Sequence, residues 1–166
     1  MQKTILFPTD FSVGSLNIVR SVLEKMNDGQ KCRIILIHGY RPGNSITELL
    51  FSSPSNWKAE LSNKEFESAC EVLRNKFESR ISAMYTEVFP GYNQSAFNNF
   101  LEGNQVSEIY LPQEHMLQLS HKRSFDIVPF IRRSGMVVNE VYVQQTMHMP
   151  GKGMVAEVFQ ERVALH

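Results

Sequence analysis

The chain shows no surplus of charge: seventeen Lys and Arg residues balance seventeen Asp and Glu across 166 residues. That balance removes any general electrostatic draw toward nucleic acid or an anionic membrane surface, so neither is an expected partner. Long apolar runs are missing too, none approaching the ~18 residues that span a bilayer. No basic-then-apolar leader follows Met1, and a cytoplasmic protein is the expectation. Only two cysteines occur, Cys32 and Cys70, and their wide separation fits neither a disulfide framework nor a zinc knuckle. Neither has a histidine placed beside it by the sequence, and no G-x-S-x-G elbow occurs. Nucleophilic catalysis therefore has no support, and the expectation is a protein that is not an enzyme.

What the chain does have is a regular switching between strand and helix periods. Thr4 to Phe7 is a short apolar run without alternation, as in a strand covered on both faces. Leu16, Val19, Val22, Leu23 and Met26 then recur at helical spacing, and Asn27-Asp28-Gly29 supplies a stop. Arg33 to His38 is a second buried strand, rich in isoleucine. From Gly39 to Leu61 the sequence becomes irregular and predicts a long connection; Ser45 with Glu48 can box one helical turn carrying Leu49, Leu50 and Phe51. Trp57, the single tryptophan, lies in that stretch, as a ligand cover, an interface anchor or a packing residue over the core edge.

Ser62-Asn63-Lys64-Glu65 reads as a capping box, followed by Phe66, Cys70, Leu73, Phe77, Ile81 and Met84 on one helical face. Tyr85 to Phe89 predicts a third strand, Ser95 to Leu101 a short helix and Ser107 to Leu111 a fourth strand. A polar connection through Arg123, an apolar helix around Ile127 to Ile131 and a fifth strand from Met136 to Val143 complete the pattern. Such alternation predicts an α/β fold, a five-stranded parallel sheet with right-handed crossovers and helices on both faces. One domain is expected over residues 1–143. Residues 144–166 form a C-terminal extension, in which Val155, Val158, Phe159 and Val163 make a weak amphipathic stripe.

In an open parallel sheet, ligands sit beyond the carboxyl ends of the strands, which makes Asp10 the first residue to question. Asp10 or Ser12 also suits the plain task of capping the helix that follows. The run Ile5-Leu6-Phe7-Pro8-Thr9-Asp10-Phe11-Ser12, with Ile34 to His38 as second strand, resembles the universal stress protein family, and the likeness in element order extends from about Lys3 to Val143. The resemblance implies a Rossmann-like sheet of the nucleotide-binding type, a part in stress response, frequent homodimerisation through the last strand, and membership of either an ATP-binding or a non-binding group. Asp10 matches the family's first-loop acid, which contacts nucleotide in binding members; Pro8, Thr9, His38 and Ser124 complete the candidate ligand set. On the family's dimer mode, Val137, Val138, Val141 and Val143 form the pairing strand, although the same residues read equally well as core.

ATP-binding members carry G-x-x-G, a spacer and then G with Ser or Thr after the fourth strand. Glycines there let the backbone approach phosphates, and amide N–H groups complement their charge. Here the segment from Pro112 to Ser124 contains no glycine, Pro112 cannot donate, and Glu114 repels phosphate. ATP is therefore disfavoured as a cofactor, and no other cofactor is expected. The reading that follows is a stress-protein-like binding protein that does not bind ATP tightly and that associates as a homodimer and with some further protein. One alternative is a nucleotide switch in which Asp10, Ser124 and the basic Lys122 and Arg123 handle phosphate without glycines. Another is a small-ligand or metal-sensing module built on Glu114, His115 and His121, although that spacing matches no strong metal signature.

Overall fold

The computed structural model describes residues 2–27, 29–43, 45–113 and 117–143. Strand β1 (Lys3–Pro8) leads through a 3-10 turn (Val13–Leu16) into α1 (Asn17–Glu24), and β2 (Cys32–Tyr40) into α2 (Ile46–Phe51), α3 (Pro54–Leu61) and α4 (Lys64–Lys76). Then follow β3 (Ile81–Phe89), α5 (Gln94–Gly103), β4 (Glu108–Pro112), β5 (Ser124–Phe125), α6 (Val128–Arg132) and β6 (Val138–Val141). The main sheet runs β3-β2-β1-β4-β6, every neighbouring pair parallel. The parallel α/β fold expected from the strand and helix periods is thus present, with one addition: β5 is a two-residue antiparallel strand paired with Gly39 and Tyr40 of β2.

The chain steps from β1 to β3 in one direction across the sheet and from β4 to β6 in the other. Because parallel crossovers are right-handed, the two runs place their helices on opposite faces. Helices α1 and α4 cover one face, burying Ile18, Val19, Leu23, Phe66 and Leu73 against Ile5, Phe7, Ile34 and Leu36. Helices α5 and α6 cover the other, where Phe97, Leu101 and Ile131 meet Leu6, Ile35, Ile37 and Ile109. With both faces covered, β1 and β2 carry apolar residues without alternation, as their sequences require.

The Ser45 cap and the packing of Trp57 are as expected, and several other local expectations are corrected. The long irregular connection holds two short helices: Ser45 caps α2 through Glu48 N–H, and Ser53 caps α3, with Pro54 in its first turn. Trp57 is buried, its ring 5.7 Å from that of Tyr40 and its indole N–H donated to Ser52, so it packs the core edge. Helix α4 begins one residue later than the capping box suggested, because Asn63 and not Ser62 accepts the Phe66 N–H. It also ends at Lys76. Ile81 and Met84, which continued its apolar spacing, belong to β3, where pairing with β2 claims them. The last strand is shorter than Met136 to Val143. The C-terminal extension, with Val155, Val158, Phe159 and Val163, lies outside the described residues. No helix among the described residues is long and apolar enough to cross a membrane.

Candidate functional site

The carboxyl ends of β1, β2 and β4 converge where a ligand is expected in this topology. The loop after β1 is held by its own polar groups. Thr9 is fully buried; its N–H donates to Ile37 O at 2.9 Å, and its hydroxyl bonds Ser15 Oγ at 2.8 Å and accepts the Phe11 N–H at 3.1 Å. Phe11 has a φ of 61°, a left-handed conformation uncommon for a bulky residue. Burial explains why it persists, since its ring packs edge-on against His38 and Phe66 at 5.0 and 5.3 Å. Ser12 caps the turn before α1 by accepting the Ser15 N–H at 3.2 Å.

Asp10 supports that cap: its Oδ1 accepts the N–H of Ser12 at 3.0 Å and the Ser12 hydroxyl. Its Oδ2 accepts the backbone N–H of Gln118 at 2.9 Å. Both carboxylate oxygens are thus engaged by this chain's own donors. Pro8 closes β1 and is buried beside them.

His38 sits near the end of β2, 2% exposed. Its Nδ1 is 2.8 Å from Thr9 O and its Nε2 2.7 Å from Ser124 Oγ. The carbonyl can only accept, so in the neutral ring Nδ1 carries the proton and Nε2 accepts from Ser124. Burial holds the imidazole below its ordinary pKa, against the opposing pull of the Thr9 carbonyl and Asp10. Ser124, the candidate phosphate hydroxyl, is a β5 residue bonded to His38, and not the first donor of a phosphate loop.

The segment leading into β5 is tied down along its length. Arg41 N–H donates to Arg123 O at 2.9 Å, and the Arg123 guanidinium makes a two-pronged bond to Glu48 at 2.6 and 2.7 Å. The hydrogen bonds and charge of that pair hold the Glu48 carboxyl below its usual range. His121 Nε2 is 3.0 Å from Glu60 Oε1, and its ring lies 5.2 Å from that of Tyr40. Phe125 then fills the space over two glycines: a Cβ on Gly39 or on Gly91 would lie 2.6 Å from its ring. The Arg41 guanidinium lies over the Phe125 ring, 5.2 Å from its centroid.

These contacts revise the alternative anion and metal sets. Arg123 is committed to Glu48, His121 to Glu60, and Lys122 remains an exposed cation beside them. Glu114 and His115 lie outside the described residues. Among the described residues, no three His, Cys, Asp or Glu side chains are grouped to hold a metal ion. Cys32 and Cys70 are both buried, and loss of solvent raises their thiols to about 11 and about 12. The proposed dimer residues divide between environments. Val138 packs on the α5 and α6 side, Val141 and Val143 on the α1 side, and Val137 is 80% exposed.

Sequence reasoning found Asp10, His38 and Ser124 but missed the His38–Ser124 bond, and it missed Phe125 and Gln118 altogether. The only available signal for Phe125 was its pairing with small residues, Gly39 and Gly91, far away in the chain.

No family model and no curated protein matches the sequence. Solved structures do. The fold is similar to that of a hypothetical protein, PH0823, at 21% identity and a TM-score of 0.51, covering 87% of this chain and 99% of that one. It is also similar to a protein from the universal stress protein family of Burkholderia pseudomallei, at 9% identity and a TM-score of 0.50, covering 84% and 95% of the two chains. With its doubly wound parallel sheet and its first-loop aspartate in place, the chain has the universal stress protein fold.

Proposed function

We propose that this is a cytoplasmic, non-enzymatic association protein of the stress-response kind, which pairs as a homodimer along the outer edge of β6 and does not use ATP as its resident ligand. The observation that carries the reading is the commitment of Asp10: both of its oxygens accept hydrogen bonds from Ser12 and Gln118. A nucleotide reaching this acid has to displace the Ser12 and Gln118 donors from it. The dimer part rests on β6 being an edge strand among the described residues, with Val137 and Tyr142 exposed at 80% and 66% beside it. Such an edge is a template for a second strand.

Calorimetric titration with ATP and magnesium, together with sedimentation of the free protein, tests both parts. The expected result is a particle of two chains and no heat of nucleotide binding. A ligand at ~100 times its Kd adds about 2.7 kcal/mol of stability, so a thermal-shift screen reads the same question independently. A low-micromolar ATP affinity overturns the nucleotide part, and a monomer at all concentrations overturns the dimer.

A further inference from the structure

Strand β3 ends the sheet on the side away from β6, and among the described residues it is the longer of the two edges, nine residues against four. The phase of the hydrogen bonds shows which of its backbone groups turn outward. Thr9 N–H donates to Ile37 O, so the odd-numbered residues of β2 face β1; Cys32 N–H donates to Arg80 O just before β3, so the even-numbered ones face β3. In a parallel pair a residue bonds the two neighbours of the residue opposite it. Ile34 and Leu36, opposite Met84 and Thr86, therefore engage Ala83, Tyr85 and Glu87. The N–H and C=O groups of Met84, Thr86 and Val88 turn away from β2, and such a row is a template for a further strand.

Two long cations of the same chain lie across this row. Arg74, in the last turn of α4, donates Nη2 and Nε to Met84 O at 2.8 and 3.3 Å. Val88 packs with Trp57 and Leu61 of α3, so alternation along the strand turns Glu87 to the opposite face of the sheet. Lys58, also of α3, still reaches Glu87 Oε1 at 3.6 Å, and it crosses the edge to do so. A cavity of about 480 Å³ lies alongside, lined by Lys58, Arg74, Tyr85 and Thr86 among others, and gives an approaching chain room once the two cations are gone. We infer that Arg74 and Lys58 form an autoinhibitory cap on β3, holding shut a strand-pairing surface whose fitting partner is β3 of a second copy. The outward row is centred on Thr86, and a two-fold axis there sets Met84 opposite Val88 with every outward group in phase. The same axis sets Glu87 opposite Tyr85, so no like charges face each other. Charged side chains over the edge are what prevent that pairing.

The cap concerns β3 and the proposed dimer concerns β6, at the other end of the sheet, so the two are read separately. Sedimentation velocity of the whole chain compares the parent with a variant carrying Lys58→Ala and Arg74→Ala. Reductant is present, so that Cys70, which lines the cavity beside Arg74, stays a thiol. The expected result is a doubled mass if the parent is a monomer, or particles beyond two chains that grow with concentration if the parent is a dimer. Adding Thr86→Pro removes an outward N–H that the pairing with β2 does not use, which an edge strand tolerates. That third substitution is expected to return the mass to the parent's. A double variant with the parent's mass overturns the cap. Growth that Thr86→Pro does not reverse, through another surface or through unfolded chains, overturns it as well. The parent's own mass reads the β6 dimer: a monomeric parent that doubles keeps the cap and sinks that dimer, and a dimeric parent indifferent to the substitutions does the reverse.

Discussion

Asp10 accepts the backbone N–H of Gln118 at 2.9 Å, joining the first loop of the sheet to a segment that lies more than a hundred residues later in the chain. The same carboxylate braces Ser12, the residue that caps the turn before α1. The acid that the sequence offers as a ligand contact is here a structural clasp across the carboxyl edge.

Replacing Asp10 therefore acts on stability. Asp10→Ala leaves the Gln118 N–H and the Ser12 N–H without this acceptor; Asp10 is buried, Ser12 half-buried and Gln118 exposed, so water can take up the freed donors in part. Loss of a hydrogen bond of this kind costs about 0.5–1.5 kcal/mol net. Urea denaturation of the variant is expected to show a loss of that order at an unchanged m-value. A variant as stable as the parent would show that the clasp contributes nothing.

The buried imidazole of His38 gives a pH dependence with a definite sign. Its folded pKa is lowered by burial, with Asp10 and His121 as the charged or titratable groups that bear on it and Thr9 and Ser124 as its hydrogen-bond partners. The unfolded chain takes up a proton near the ordinary value of 6.5, and the folded chain only at lower pH. The contribution is therefore present above pH 6.5 and is lost as pH falls through the folded pKa. The separate loss from Glu48, whose folded pKa is also lowered, begins only below its ordinary value of 4.5. Denaturation measured in steps between pH 7 and 5 is expected to show falling stability in the parent and a flatter profile in His38→Gln. Equal slopes in the two proteins would remove His38 as the cause.

The contact of Phe125 with two glycines predicts a coupled pair of substitutions. Gly39→Ala places a methyl group 2.6 Å from the Phe125 ring, closer than two carbons can stand. The ring must move out of its cluster with Phe89 and Phe130, and overpacking of this kind costs about 1–3 kcal/mol. Phe125→Ala removes the obstacle, so adding Gly39→Ala to it is expected to cost less than adding it to the parent. A double-mutant cycle from denaturation curves checks this, and strictly additive effects would deny the coupling. Gly91 is a poorer test, because its φ of 73° strains any side chain irrespective of space.

Much of the fold was legible because the relevant signals are local. The isoleucine-rich run at Arg33 to His38 is a strand wherever both faces are covered, and the spacing of Leu16 to Leu23 marks one side of α1. Ser62 and Asn63 illustrate the limit of local reading: both are good caps at adjacent positions, and the entry of the chain selected Asn63, whose side-chain amide also donates to Phe11 O at 2.9 Å. Ile81 and Met84 illustrate another limit. Their spacing satisfied the helix, yet β2 offered a pairing edge that Arg33, Ile34 and their neighbours filled with β3. β5 has only two residues and therefore no period of its own, so nothing short of its partner could reveal it.

The amino-acid sequence by itself determined the strand and helix alternation, the right-handed layering that follows from it, and the absence of glycine after β4, because each depends on residue type and spacing along a short stretch. Only the tertiary structure decided what the candidate site residues do. Asp10, His38, Ser124 and Arg123 all looked available for a ligand while their neighbours in space were unknown. A hydrogen-bonding or charged group is available only if no other part of the chain reaches it, and that is settled by long-range approach, here by Gln118, Thr9, Ser124 and Glu48.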